Sequence, residues 1–175
     1  MPRAFIGIGS NIDPESNIRA ALRRLAAPVR LQAVSTFYRE PALDRPQEPD
    51  FYNGVVAIDT DLPPAALKWQ VLRPIEAALG RRRGADKYAA RTIDLDLLLY
   101  DDCALCGADL TLPDPSICAR AFVALPLLEL SPELALPGSG VSIREIARRF
   151  VAAELQALPD YTRRLRREFL SLRHA

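Results

Sequence analysis

Apolar positions recur along the chain in two rhythms, and together they predict alternating strands and helices. Ala4-Phe5-Ile6-Gly7-Ile8-Gly9 is a short apolar run with small residues, the mark of a buried strand. Ser10-Asn11 ends it. Asp13-Pro14-Glu15 then has the makeup of a helix start, and Ile18, Ala21, Leu22 and Leu25 follow at helical spacing. Val29 to Thr36 alternates as a strand. Arg39 to Asp50 carries Pro41, Pro46 and Pro49 together with Glu40, Asp44, Glu48 and Asp50, and reads as a loop. Tyr52 to Thr60 is a further strand. Leu62-Pro63-Pro64 opens a helix to about Leu79, with Gly80 suited to its C-cap.

Arg81 to Arg91 is basic, rich in small residues and without apolar periodicity, so a mobile loop is expected. Thr92 to Tyr100 is a strongly apolar strand interrupted by Asp94 and Asp96. The resulting order, β-α-β-β-α-β, points to an α+β protein with a ferredoxin-like sheet and helices packed against it. Past Pro113 and Pro115, Arg120-Ala121-Phe122 leads into a short apolar helix, and Ile143 to Leu158 predicts another. From Tyr161 onward, Arg163, Arg164, Arg166, Arg167 and Arg173 face a single acid, Glu168. The expected organisation is one domain over 1–158 followed by a basic tail over 159–175, with no repeats and no linker.

Composition removes several classes of function. The chain has 175 residues, 49% of them hydrophobic, enough for one domain with a sizeable core. Lys+Arg 23 against Asp+Glu 22 gives a net charge of +1, so no global field favours nucleic acid or an anionic membrane as partner. No apolar stretch is long enough to span a bilayer, and Met1-Pro2-Arg3 leads straight into a core-like segment, so no signal peptide is expected. Cys103, Cys106 and Cys118 are an odd set in a chain too large to need staples, which suits a reduced, cytoplasmic protein. Cys103 and Cys106 form a C-x-x-C, yet zinc would need two more ligands, so they read as ordinary residues near a turn. The only histidine is His174, which leaves almost no material for Ser-His-Asp or Cys-His catalysis or for His-ligated zinc. Lysine occurs only at Lys68 and Lys87; codon bias explains the excess of arginine, so only arginine positions carry an argument.

The positions do carry one. Residues two apart in a strand project from the same face, so Asp94 and Asp96 stand side by side. Two like charges that close need a cation, and Mg²⁺ accepts carboxylate oxygens while keeping waters or phosphate oxygens in its other positions. Taken alone, a D-x-D also fits two aspartates on a solvated sheet face. Arg81, Arg82, Arg83 and Arg91 lie just upstream, and Arg120 arrives from further along the chain. Guanidinium groups and carboxylate-bound metal in one place suit polyphosphate binding and phosphoryl or nucleotidyl transfer. No G-x-x-x-x-G-K-[ST] occurs, and Gly7-Ile8-Gly9 is too short for a dinucleotide fingerprint and reads as close packing. Phe51-Tyr52-Asn53 and Phe122 offer rings for a flat heterocycle and an amide for its edge, although each ring also fits a core position.

Assembled in order, these segments resemble the 6-hydroxymethyl-7,8-dihydropterin pyrophosphokinase family of folate biosynthesis, from Ala4 to about Phe150. The resemblance is carried by Gly9-Ser10-Asn11, by Ser35 to Pro41, by Gln47 and Phe51-Tyr52-Asn53, and by Ile75-Glu76 and Gly80-Arg81. Its most specific block is Tyr88 to Leu98, around Asp94 and Asp96; Leu112-Pro113 and Arg120 to Val123 complete it. It implies a three-layer αβα sandwich on a ferredoxin-like core with an antiparallel or mixed sheet. It also implies transfer of pyrophosphate from ATP to the pterin hydroxymethyl oxygen, releasing AMP. By the same resemblance, Asp94 and Asp96 hold two Mg²⁺ ions, Arg81 and Arg91 neutralise charge, and Arg83, Arg91, Arg120, Glu76 and Thr111 serve ATP. Glu40, Pro41, Leu43, Phe51, Asn53 and Phe122 fall on the pterin side, and the Arg82 to Ala90 loop closes over both substrates. The implied partners are small molecules only, and the chain is expected to be a monomer.

The chain departs from the family pattern in several places. Asp114 stands where the family carries a histidine facing ATP phosphates, a repulsion of up to about 4 kcal/mol at contact with an effective dielectric near 20. It needs an arginine or metal partner. Glu40 stands where threonine is common, Tyr88 and Ala90 replace a tryptophan and a proline, and Asp109 falls where an arginine occurs. Glu40 and Asp114 leave open a paralogue acting on a related pterin. A catalytically silent pterin- or nucleotide-binding protein is the other alternative, against which the retention of Asp94, Asp96, Arg81 and Arg91 argues.

Overall fold

The computed structural model describes residues 1–41, 47–81, 90–150 and 155–170. Its central strand, β1 (Arg3–Ser10), pairs antiparallel with two neighbours, β4 (Phe51–Asp59) and β5 (Asp94–Tyr100). Two shorter strands share the far edge of β4: β2 (Arg30–Val34) pairs along its C-terminal half and β3 (Tyr38–Glu40) along its start. The order β5-β1-β4 with β2 outermost is that of a split βαβ sheet, and every pairing is antiparallel. A separate ribbon, β6 (Leu105–Cys106) with β7 (Thr111–Leu112), follows β5.

Strand alternation assigns the two faces of the sheet. Ile6, Ile8, Ile58, Leu95 and Leu97 pack in one cluster with α1 (Pro14–Leu25) and a helix over 64–78. That helix begins as α2 (Pro64–Ala66), widens into a π-helical stretch (Leu67–Leu72) and continues as α3 (Arg73–Ala78). Gly80, at φ 78°, stops it, as a left-handed C-terminal residue should. Phe5, Val55, Leu98 and Leu99 form the opposite cluster, with α4 (Ser116–Ala119), α5 (Ala121–Leu130) and α6 (Ile143–Arg148). Helices on both faces make the three layers. The β1–β5 register slips between Phe5 and Ile6, and this bulge sends both Leu98 and Leu99 to the α5 side.

Three expectations need correction. The Arg39 to Asp50 loop begins later than its prolines suggest, because Tyr38–Glu40 pairs with β4 as β3. The helix expected over Ile143 to Leu158 ends at Arg148. Its buried stripe, Ile143, Ile146 and Ala147, covers only two turns, and Gln156–Ala157 instead forms β8 on the edge of β3. Residues 159–170 also belong to the fold: α7 (Pro159–Leu170) buries Tyr161, Thr162 and Leu165. Its arginines mostly occupy the outer face, so their number hid an apolar stripe at i and i+4. Glu168, near the end of α7, accepts from Arg19 at 2.6 Å and Arg23 at 2.9 Å of α1. Thr162 Oγ1 accepts the buried Phe37 N–H at 2.9 Å. Among the described residues no helix is long and apolar enough to cross a membrane.

A Leu165→Ala variant tests that α7 is structural. Removing a side chain only 1% exposed is expected to cost about 2–5 kcal/mol in urea unfolding. A loss below about 0.5 kcal/mol would instead match a dispensable tail.

Candidate active site

Three strands lay out the site in cross-strand rows. The register aligns Asp94 of β5 with Gly9 of β1 and Asn53 of β4, and the next row aligns Asp96 with Gly7 and Val55. Directly opposed residues share a face, so both aspartates, both glycines and Asn53 look to the α5 side. With no side chains on the central strand, the sheet carries a trough between the carboxylates and Asn53. Arg120, Phe122 and Val123 at the start of α5 and Ser116 of α4 roof it, giving a cavity of about 250 Å³. Glu40, Pro41 and Phe51 line the end away from the aspartates, and Arg91 lines it beside Asp94. The glycines are therefore the floor of the site as well as a point of close packing. A β-carbon on Gly9 would stand 2.6 Å from Asn53 Oδ1. The paired spacing of Gly7/Gly9 and Asp94/Asp96 was the signal in the sequence.

Guanidinium groups surround the carboxylates. Asp94 lies between Arg81, whose Nη1 is 2.7 Å from Oδ1, and Arg91, which bonds Oδ2. Arg73 holds its Nη2 3.7 Å from Asp96 Oδ1. The Asp96 side chain is half-exposed, within the walls of the cavity. Its pKa is pushed up from 3.8 to about 7, by desolvation first and then by Asp94; Arg73 opposes the shift, and Asp114 and Glu76 add to it. At the other end, burial raises the Glu40 pKa and Arg120 pulls it back.

Behind this front stands a buried support. Glu76, expected on the nucleotide side, is 2% exposed and does not line the cavity. Its Oε1 accepts Leu95 N–H at 2.8 Å and its Oε2 accepts from Arg73 at 2.6 Å, so it anchors the start of β5 and the guanidinium beside Asp96. Arg81 donates to Ile93 O at 2.8 Å. Ser10 and Asn11, read only as the end of a strand, are fully buried and tie three segments together. Ser10 Oγ donates to Thr92 O at 2.6 Å, Asn11 Oδ1 accepts Arg91 N–H at 2.7 Å, and Asn11 Nδ2 donates to Pro49 O at 3.1 Å. Polar residues right after an apolar strand were the available signal.

The remaining expected residues separate. Thr111 donates to Gly107 O at 3.4 Å and does not line the cavity. Asp114 caps the turn into α4, its Oδ1 accepting Ser116 N–H at 2.8 Å, which gives this departure from the family pattern a local partner. Arg83 and Leu43 lie outside the described residues, as does the loop over 82–89. The residues present fit a magnesium ion that arrives with a ligand. Two hard carboxylates share one face, and no group of three or more metal-ligating side chains exists among the described residues, leaving the other positions to water and phosphate.

Two outcomes follow from this geometry. Gly9→Ala would push into Asn53 and raise the floor, so the KM of a ligand bound there should rise about tenfold or more, equivalent to about 1.4 kcal/mol. Steady-state titration against each substrate checks it, and an unchanged KM contradicts the floor assignment. The raised Asp96 pKa means that the folded state holds a proton the unfolded chain releases between pH 4 and 7. The associated stability is present below about pH 4 and is lost as pH rises through about 7. Metal-free Asp96→Asn, which keeps the shape without the charge, should therefore gain on the wild type as pH rises from 4 to 8. Thermal unfolding in chelator across that range reads the crossover.

The chain is similar to known proteins in both sequence and fold. The family described as 7,8-dihydro-6-hydroxymethylpterin-pyrophosphokinase (HPPK) matches residues 5–132. A 2-amino-4-hydroxy-6-hydroxymethyldihydropteridine pyrophosphokinase of Synechocystis sp. is 40% identical over 146 residues, covering 82% of this chain and 73% of the relative. The protein of the same name from Methylorubrum extorquens is 40% identical over 144 residues, covering 81% and 90%. In fold, the chain is similar to the Plasmodium falciparum HPPK-DHPS wild type with SDX-DHP. The TM-score is 0.66 at 14% identity, over 87% of this chain and 44% of that one. With two thirds or more of the chain matched at this identity, it belongs to the 7,8-dihydro-6-hydroxymethylpterin pyrophosphokinase family.

Proposed function

We propose that this chain moves the terminal pyrophosphoryl group of ATP onto the hydroxymethyl oxygen of 6-hydroxymethyl-7,8-dihydropterin and releases AMP. In that transfer the hydroxyl oxygen bonds to the β-phosphorus, the bond from that phosphorus to the α-phosphate oxygen breaks, and the hydroxyl proton leaves. The observation that carries the reading is the Asp94–Asp96 pair beside a glycine-floored trough, with Arg81 and Arg91 on Asp94. Asp94 and Asp96 would hold two Mg²⁺ ions, which when bound supply positive charge against the phosphates and the reacting hydroxyl.

The chain's own residues do the rest. Arg91 and Arg81 neutralise Asp94 in the ligand-free state and are positioned to turn toward phosphate as it arrives. Arg120 stands on the roof as a third guanidinium for the nucleotide, and Arg83 joins it in this reading. Phe51 and Phe122 flank the heterocycle end, where Asn53, Glu40, Pro41 and Leu43 would bind the ring edge. Thr111 is assigned to the nucleotide and Glu76 acts through its neighbours, as a positioning residue. A monomeric chain in a cytoplasmic setting completes the reading, in keeping with Cys103, Cys106 and Cys118 all being free.

Incubation with Mg-ATP and 6-hydroxymethyl-7,8-dihydropterin, with AMP measured by chromatography, tests the activity. AMP release dependent on the pterin is expected. Binding of both substrates without AMP would mark a silent binder, and release only with another hydroxymethyl heterocycle would mark a paralogue. Asp96→Ala should lower the rate about a hundredfold to a thousandfold with the fold retained, and a wild-type rate in that variant would refute the metal assignment.

A further inference from the structure

The heterocycle end of the trough has a fixed polarity. Asn53 is 6% exposed, and its amide nitrogen donates to Glu40 Oε2 at 3.3 Å. Its amide oxygen points over the floor, 2.6 Å from where a β-carbon on Gly9 would stand. A free asparagine amide presents either its donor or its acceptor end to a ligand. An ionised carboxylate only accepts, so Glu40 holds the NH₂ end and leaves Oδ1 turned to the trough. This coupling is built into the sheet. Glu40 opposes Phe51 and Asn53 opposes Tyr38 in the β3–β4 pairing, which makes Glu40 and Asn53 diagonal neighbours on one face. Glu40 itself lines the cavity, and its other oxygen carries no hydrogen bond among the described residues.

We propose that Glu40 is a specificity-determining residue: by fixing the Asn53 amide it makes this edge of the site acceptor-only, and so selects a heterocycle whose buried edge offers an amino group and a ring N–H. The favoured class is the 2-amino-4-oxo pyrimidine ring, and the disfavoured one is its 2,4-dioxo counterpart. A 2-oxo group would set a carbonyl oxygen against the Glu40 carboxylate, acceptor against acceptor in a half-buried place. The threonine common in the family at this position can donate as well as accept, so it would leave the amide free to turn. This inference rests on the pterin reading of the cavity and refines which ring that cavity accepts.

The experiment compares kcat/KM for 6-hydroxymethyl-7,8-dihydropterin and for the corresponding 2,4-dioxo compound in the wild type, Glu40→Thr and Glu40→Gln. Fluorescence titration of each heterocycle, with a non-hydrolysable ATP analogue present, runs alongside. The wild type should prefer the amino compound about 100-fold or more. Both variants should narrow that ratio about tenfold or more, through the heterocycle KM and dissociation constant, while the KM for ATP stays put. Glu40→Gln keeps the side chain's size, so a narrowed ratio there reports hydrogen-bond polarity and not lost packing. An unchanged ratio in Glu40→Gln and Glu40→Thr overturns the proposal, as does a wild type that binds the two rings equally. If no heterocycle is turned over but the titrations still discriminate through Glu40, the pyrophosphokinase reading fails and the Glu40 assignment stands.

Discussion

Two carboxylates on one face of one strand are a charge problem that the rest of the site answers. Asp94 and Asp96 stand two residues apart in β5, where no backbone adjustment can separate them without breaking the pairing to β1. Without a metal the answer is asymmetric. Asp94 takes two guanidiniums at contact distance, whereas Asp96 has only the more distant Arg73 and binds a proton far above the ordinary carboxylate range. Arg73, Arg81 and Arg91 stand among Asp94, Asp96 and Glu76, and Asp114 adds to the negative field at Asp96. A triphosphate entering this cluster would bring further negative charge, toward which Arg120 on the roof is the guanidinium not bonded to either aspartate among the described cavity-lining residues. A divalent cation arriving with it would meet two hard oxygen donors and, in the function proposed above, free the guanidiniums to face phosphate.

Such a cluster works only if its members keep their places, which is the task of the buried polar residues behind it. Glu76 bonds the Leu95 amide and Arg73 together, and it lies 3.8 Å from Arg81, so one buried carboxylate registers helix α3 against the start of β5. Ser10 and Asn11, themselves buried, do the same from β1, fixing the backbone around Arg91 and Thr92 with hydrogen bonds. Buried polar groups with every bond made are costly to disturb, because loss of one partner strands the other. The front of the site can therefore exchange ligands while its backing stays fixed.

Much of this was legible in the residues. Hydrophobic spacing located β1, α1, β2, β4, the helix over 64–78 and β5, since each buries a face whose period matches its geometry. The Asp94–Asp96 pair was legible for the same reason: side-chain direction in a strand is fixed by period. Legibility failed where a position's meaning depends on a distant partner. β3 and β8 are short edge strands that hold by pairing with each other and with β4, so prolines and charges nearby obscured them. Glu76 looked like a nucleotide contact because an acid on a helix beside an arginine-rich loop gives no sign of burial. The arginines of α7 masked Tyr161 and Leu165 because composition weighs number while packing weighs placement.

The trough also explains how one small cavity can treat two unlike ends of a reaction. Glycines along β1 remove side chains between the acidic row and the Asn53–Glu40 edge, and in the function proposed above a flat ring would lie directly on the sheet with its hydroxymethyl arm toward Asp94 and Asp96. Each end has its own polarity: paired carboxylates with guanidiniums at one, a fixed row of acceptors at the other. Because the same central strand supplies the floor to both, the separation between the Asn53–Glu40 edge and the Asp94–Asp96 row is set by β-sheet spacing and not by loops. A loop-built pocket would have to recover that separation each time it closed; here the sheet holds it before any ligand arrives.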